Sequence, residues 1–260
     1  MSKTIDPRRF GGTGRVFGEE ASQKIFNSHV TVVGMGGVGS WAVEALVRSG
    51  VGHLTLIDGD TVAFNNTNRQ LHALEGNYEI PKVEAMKQRC LLINPDCRIE
   101  AVQAFVTPES VAELITPESG AVIDCIDDLI GKATLLARAR SLGLLTVCAG
   151  GAGAKLNPAN ITQADLARAT NDPLLGKLRT ILRKEYGFPA GAVNGRSKLF
   201  GIQTVWCQGP VRQPGPDTLA AIGAAPGDCV GFGSFVAVTG SVGLRLASIV
   251  LNEIAGTINA

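Results

Sequence analysis

The chain has 260 residues, a formal net charge of +1 and 45% hydrophobic residues. That balance supports a sizeable core and excludes a globally basic nucleic-acid binder, so any site for a polyanion must be a local patch. The six cysteines (Cys90, Cys97, Cys125, Cys148, Cys207 and Cys229) have no C-x-x-C spacing, and Asp6, Arg8, Arg9 and Arg15 interrupt any secretory signal, which points to reduced thiols in the cytoplasm and no zinc.

Residues 1–18 are polar and glycine-rich, with Arg8, Arg9 and Arg15 flanking Phe10-Gly11-Gly12-Thr13-Gly14. Two readings stand open: a surface arm, or an arginine that reaches a phosphate, including one in a neighbouring subunit. Residues 19–28 read as a short helix. Val30 to Val33 is a β-branched run that meets Gly34, Gly36, Gly37 and Gly39, and an apolar helical pattern follows from about Val38 to Ser49. Strand, glycine turn and helix N-terminus together form a phosphate cradle, because the backbone turns sharply and comes close to an anion there.

Leu54 to Ile57 is the second strand and ends at Asp58, which is placed to bond ribose hydroxyls. Asp60 reads as a turn residue. The polar run Asn65-Asn66-Thr67-Asn68-Arg69-Gln70 falls at the carboxyl edge of the sheet, where Arg69 offers a planar fork to phosphate and the asparagines order its approach. A helix from Pro81 to Ile93 carries Lys82 in its first turn. The helix dipole disfavours a cation there, so Lys82 either serves an anionic ligand or is a solvated lysine, and its removal is expected to leave the fold intact.

Arg98 to Gln103 is a third strand, and Thr107-Pro108-Glu109 starts a short helix. Ala121 to Asp124 is a buried fourth strand followed by Cys125-Ile126-Asp127-Asp128. Asp127 is the better ligand for magnesium on a nucleotide; Asp128 is a second acid there or the N-cap of a helix from Ile130 to Leu142. Leu144 to Ala149 is a fifth strand ending in Gly150-Gly151-Ala152-Gly153. The β-α alternation argues a doubly wound, mostly parallel, Rossmann-like α/β sheet.

The second half is less regular. Asp172-Pro173 caps an amphipathic helix to about Tyr186, with Leu174, Leu175, Leu178, Ile181 and Leu182 inward. Lys177, Arg179, Arg183 and Lys184 populate the rest, with Arg196 and Lys198 after them. They form a solvated face or, as the best local patch, a contact for a phosphate backbone. Gly201 to Trp206 is a strand and residues 208–228 a long loop. Residues 229–244 carry no charge and Arg245 interrupts, which reads as a buried closing helix, with a membrane-associated tail as the minority reading. We expect a single domain over 1–260, with a nucleotide half at about 28–153. A smaller sheet-and-helix extension at about 154–260 would serve substrate and dimerisation.

Taken together, the glycine loop, Asp58, Asn65 to Arg69, Lys82 and Asp127 resemble the adenylate-forming superfamily of ubiquitin-activating enzymes and their bacterial relatives over residues 30–128. An NAD-dependent dehydrogenase would leave Arg69, Lys82 and Asp127 idle, and a nucleotide sensor or scaffold would not need them. Within the superfamily the resemblance is closest to the group that dehydrates threonylcarbamoyladenosine in tRNA. Arg9 to Thr13, Asn66 to Gln70, Gly150 to Gly153, Asp172 to Leu174 and Cys229 to Gly233 carry it across nearly the whole chain.

The resemblance implies ATP and magnesium, a tRNA substrate whose threonyl carboxylate is adenylated and then attacked by a nitrogen of the same side chain, and a homodimer. It also implies a cysteine desulfurase with its sulfur acceptor as partners. A superfamily arginine supplied across the dimer has two counterparts here, Arg9 and Arg15. Cys229 lies near the place of a catalytic cysteine in thioester-forming relatives, but cyclisation needs no thiol and a structural role is expected. The alternative function is adenylation of the C-terminal Gly-Gly of a sulfur-carrier protein; the missing C-x-x-C pairs count against it.

Overall fold

The computed structural model describes residues 6–190, 198–211 and 233–257. One seven-stranded sheet runs in the order β3-β2-β1-β4-β5-β7-β6. Its strands are β1 (His29–Val33), β2 (His53–Ile57), β3 (Arg98–Val102), β4 (Ala121–Asp124), β5 (Thr146–Ala149), β6 (Ile161–Asp165) and β7 (Gln203–Cys207). All pairs are parallel except β6 with β7. The strands expected at Leu54, Arg98, Ala121, Leu144 and Gly201 are therefore present within a few residues.

β6 was not foreseen. Ile161-Thr162-Gln163-Ala164-Asp165 is only half apolar, as suits the edge strand it is. The expected separate C-terminal sheet is corrected: β7 pairs with β5, so the second half extends the first sheet rather than building its own.

Helices cover both faces. On one lie α2 (Glu19–Phe26), α3 (Gly39–Arg48), α4 (Lys82–Ile93) and α8 (Val236–Ala255); on the other lie α5 (Val111–Leu114), α6 (Leu129–Ser141) and α7 (Pro173–Glu185). Strand alternation assigns the faces. Val30, Val32, Leu54, Leu56 and Ile123 join the first core, whereas Val33, Ile57 and Val122 join the second.

The N-terminal residues, for which a surface arm is one of the two readings, form a helix, α1 (Pro7–Phe17). Asp6 caps it by accepting from the Arg8 N–H, and Pro7 stands at the first helical position, so local capping overrides three glycines.

α8 is the buried closing helix. It is long and apolar enough to cross a membrane by composition, but Val238, Val242, Leu246 and Val250 are fully buried against the sheet and α3. Each such side chain contributes about 1.5–3 kcal/mol on burial. Gly243 lets α8 meet the α3 N-terminus, because a Cβ there would overlap the Val38 carbonyl oxygen. Arg245, which broke the apolar run in sequence, reaches outward to Gln163 and the Ile161 carbonyl. Arg196, Cys229 and most of the expected 208–228 loop lie outside the described residues.

Candidate active site

β1 and β4 are neighbours in the sheet, while the chain leaves them in opposite directions to β2 and β5. Ligands bind at such a switch point, outside the carboxyl ends of the strands. A cleft of about 790 Å³ lies there. Its lining includes Gly34, Gly36 and Gly37 after β1, Asp58 and Asp60 after β2, Asn66 and Arg69, Lys82, Asp127 and Asp128 after β4, and the Gly150 to Gly153 loop after β5.

The glycine loop is shaped by contact. Gly34 has φ +90°, and a Cβ on it would stand 2.8 Å from the Cys125 carbonyl oxygen. A Cβ on Gly39 would overlap the Gly34 carbonyl oxygen, and one on Gly37 would stand 2.9 Å from Arg69 Cγ. Among the described residues, the N–H groups of Gly36, Gly37 and Val38 have no acceptor within the protein, and the α3 N-terminus has no side-chain cap. All three residues line the cleft, so the loop offers unpaired donors at a helix N-terminus, an arrangement suited to an anion.

Asp58 does more than the sequence implied. Its Oδ2 accepts from the Met35 N–H at 2.6 Å and its Oδ1 from the Asp60 N–H at 2.8 Å, stitching β2 to the glycine loop. Burial pushes the Asp58 carboxyl above the usual aspartate range, and the charge of Lys82 partly offsets this.

Lys82 is a correction to the solvated-lysine reading: it is 7% exposed. Its Nζ lies 2.7 Å from Asp60 Oδ2 and 4.0 Å from Asp58 Oδ1. Asp60, read from sequence as a turn residue, is thus an ion-pair partner at the cleft. Pro81 caps α4 rather than opening it, and helical geometry begins at Lys82 itself.

Arg69 is held by its surroundings. Its Nη1 donates to the Asn65 carbonyl at 2.8 Å and to Asn68 Oδ1 at 2.9 Å, while its own carbonyl accepts from Trp41 Nε1 at 3.0 Å. Asn68 Nδ2 donates in turn to the Ser234 carbonyl. Asn66 is buried and closes its own turn, accepting from the Ala63 N–H at 3.1 Å. Asn66 is on the cleft wall, whereas Asn68 acts from behind Arg69.

The two acids after β4 separate cleanly. Asp128 is the N-cap of α6, its Oδ2 accepting from the Gly131 N–H at 2.6 Å, although it also borders the cleft. Asp127 is exposed on the cleft wall and its carboxylate makes no hydrogen bond or ion pair among the described residues. A free, acceptor-only carboxylate facing a phosphate cradle fits magnesium, a hard cation that keeps most of its waters and takes one or two carboxylates.

Sequence reasoning missed two features. Phe105 lines the cleft with 62% of its surface exposed, its ring packed over Gly59. Under the floor, Lys132 and Asp124 form a fully buried pair. The signal for Phe105 was an aromatic just beyond the carboxyl end of β3; for Lys132 it was a lysine on the inward face of α6.

Six predicted residues lie away from the cleft: Arg9, Arg15, Lys177, Arg179, Arg183 and Lys184. Arg9 donates to the Ile93 carbonyl at the end of α4, and Arg15 lies along Gly11 and Gly12 of its own helix. On α7, Lys177 and Lys184 are exposed, but Arg179 and Arg183 are half-buried. Arg183 donates to the Pro189 carbonyl and stacks over Phe200, so it is partly a packing residue. Leu174, expected in the core, lines the cleft. Asp172 caps α7 as expected and also accepts from the Gly151 N–H at 2.8 Å, which fixes the glycine loop after β5.

A model of the ThiF family matches residues 13–205 of this chain. The chain is 43% identical over 253 residues to the tRNA threonylcarbamoyladenosine dehydratase of Escherichia coli (strain K12), covering 95% of this chain and 93% of that protein. Its fold is similar to the crystal structure of the E. coli tRNA N6-threonylcarbamoyladenosine dehydratase in complex with ATP, with a TM-score of 0.86, 38% identity and 99% of each chain covered. It is equally similar to the same E. coli protein in complex with AMP, with a TM-score of 0.87 and 38% identity over 100% of each chain.

Proposed function

The chain belongs to the ThiF family, and from that premise we propose that it is an ATP-dependent dehydratase of threonylcarbamoyladenosine in tRNA. The observation that carries this reading is the single cleft in which an anion cradle, two cations and a free carboxylate meet. The threonyl carboxylate attacks the α-phosphorus of ATP and pyrophosphate leaves. A nucleophile of the same ureido group then attacks the acyl carbon and AMP leaves. No general base is required for the first step, because a carboxylate is already ionised at neutral pH.

The roles follow from chemistry. The unpaired N–H groups of Gly36, Gly37 and Val38 receive phosphate oxygens. Arg69 and Lys82 stabilise the negative charge that builds on the transferring phosphoryl group. Asp58 accepts from the ribose, and the exposed ring of Phe105 provides a face for the purine. Magnesium bound with the nucleotide would neutralise phosphate charge, and Asp127 would hold it.

A homodimer completes the site in this reading, with Arg9 or Arg15 entering from the second copy. The tRNA backbone meets α7 through Lys177 and Lys184 first, with Arg179 and Arg183 behind them. A cysteine desulfurase and its sulfur acceptor are the proposed protein partners, and the cytoplasm the proposed compartment.

The test is to incubate the full chain with ATP, magnesium and tRNA carrying or lacking the threonylcarbamoyl group, then weigh the released nucleosides. An ATP-dependent loss of one water from the modified adenosine, with AMP formed, is the expected result. Pyrophosphate exchange that needs a protein ending in Gly-Gly instead would point to sulfur-carrier activation.

A further inference from the structure

Asp124 closes β4 and Lys132 stands on α6, and both side chains are 0% exposed. Lys132 Nζ is 2.8 Å from Asp124 Oδ2 and donates to the Ile126 carbonyl at 2.7 Å. Asp124 Oδ1 accepts from the Ile126 N–H at 3.0 Å. The pair therefore grips residue 126 by both of its backbone polar groups. On the far side, Asp128 is tied to Gly131 N–H at 2.6 Å. Asp127 is the one acid between these two anchors, and it alone of the three projects a free carboxylate into the cleft.

Burying two charges is costly, and well-packed apolar residues would often hold a core as well or better. Asp124 keeps the Lys132 amine above its ordinary range despite the burial. The same segment also touches the glycine loop, since the Cys125 carbonyl oxygen lies 2.8 Å from where a Gly34 Cβ would stand.

We propose that the Asp124–Lys132 pair is a positioning device: it holds residues 125–128 so that the Asp127 carboxylate is presented to the metal of the bound nucleotide. The proposal rests on the reading of Asp127 given above. Lys132 and Asp124 touch neither nucleotide nor metal; they act through the Ile126 peptide. Such supporting residues change metal affinity by about 10–100-fold when removed.

The test measures ATP binding to the full chain by calorimetry with and without magnesium, and takes the ratio as the magnesium-dependent gain. Asp124→Leu/Lys132→Met leaves no unpaired buried charge. It is expected to keep magnesium-free affinity within about 3-fold while the gain falls about 10-fold or more. Asp124→Asn, which keeps the shape, is the second variant should the double one not fold, and is expected to lower the gain at least about 3-fold. Adding either variant to Asp127→Ala should cost no further gain, because the pair acts through that carboxylate. A folded pair variant with wild-type gain, where Asp127→Ala alone loses it, overturns the clamp. Wild-type gain in Asp127→Ala overturns the reading of Asp127 and the clamp with it. ATP binding without AMP formation on modified tRNA overturns the substrate assignment alone and leaves the binding comparison to decide the clamp.

Discussion

Lys82 Nζ and Asp60 Oδ2 meet at 2.7 Å across the cleft, with Asp58 Oδ1 4.0 Å from the same nitrogen. One cation thus faces two acids. An incoming nucleotide competes with Asp60, which is largely exposed, more easily than with Asp58, whose side chain is mostly covered and tied to two backbone N–H groups. Lys82→Ala is expected to lower AMP formation at least about 100-fold, as loss of a transition-state charge partner does. It is also expected to destabilise the fold by about 1–3 kcal/mol, because the mostly covered Asp58 side chain loses its nearest positive charge. Kinetics and denaturant unfolding of one variant check both.

Asp127 and Asp128 are neighbours with opposite expected phenotypes. Asp127→Asn should abolish most turnover and leave stability within about 0.5 kcal/mol, since the side chain makes no hydrogen bond or ion pair among the described residues. Asp128→Ala should cost about 1 kcal/mol through loss of the α6 cap, with the larger share of its effect on stability. Paired measurements of kcat and unfolding free energy separate the two.

The glycine loop makes a graded series. Around Gly36 there is nothing within 4 Å of an added Cβ, at Gly37 there is the flexible stem of Arg69, and at Gly39 there is backbone. Gly36→Ala should fold as the wild type does. Gly37→Ala should fold but bind ATP about tenfold more weakly, as Arg69 is displaced. Gly39→Ala should lose most soluble folded protein. ATP affinity and thermal melting are the readouts.

His72 is 0% exposed, and neither ring nitrogen has a hydrogen-bond partner among the described residues. Burial, with Lys82 and Arg89 nearby, lowers its pKa to about 4 from an ordinary 6.5. The unfolded chain therefore binds more protons between those values, so stability is full above pH 6.5 and falls as the pH drops toward 4. The expected loss is on the order of 2–3 kcal/mol. Unfolding titrations of His72→Leu should show a flatter profile over that window.

On α7 the exposed lysines and half-buried arginines should part company. Lys177→Glu with Lys184→Glu should weaken tRNA binding and reduce its salt slope by about 2, with stability unchanged. Arg183→Ala should lower stability instead, through its contacts with Phe200 and Pro189. Salt-dependent binding and thermal melting distinguish them.

The sequence by itself determined the parallel α/β alternation, the glycine cradle after β1, the acid after β2, the arginine and lysine beside them, and the caps of α6 and α7. These are local signals: hydrophobic period, turn chemistry and capping spacing are written within a few residues of one another. Only the tertiary structure decided that Lys82 is buried between two acids, that Asp58 accepts from the Met35 N–H, and that the last two strands join the first sheet. It also decided that the apolar tail packs its glycines against Trp41 and Val38, and that Lys132 is buried against Asp124 rather than in solvent. Each of these depends on groups far apart in the chain. Their burial and partners are set by how the elements pack, and no spacing within one element encodes that.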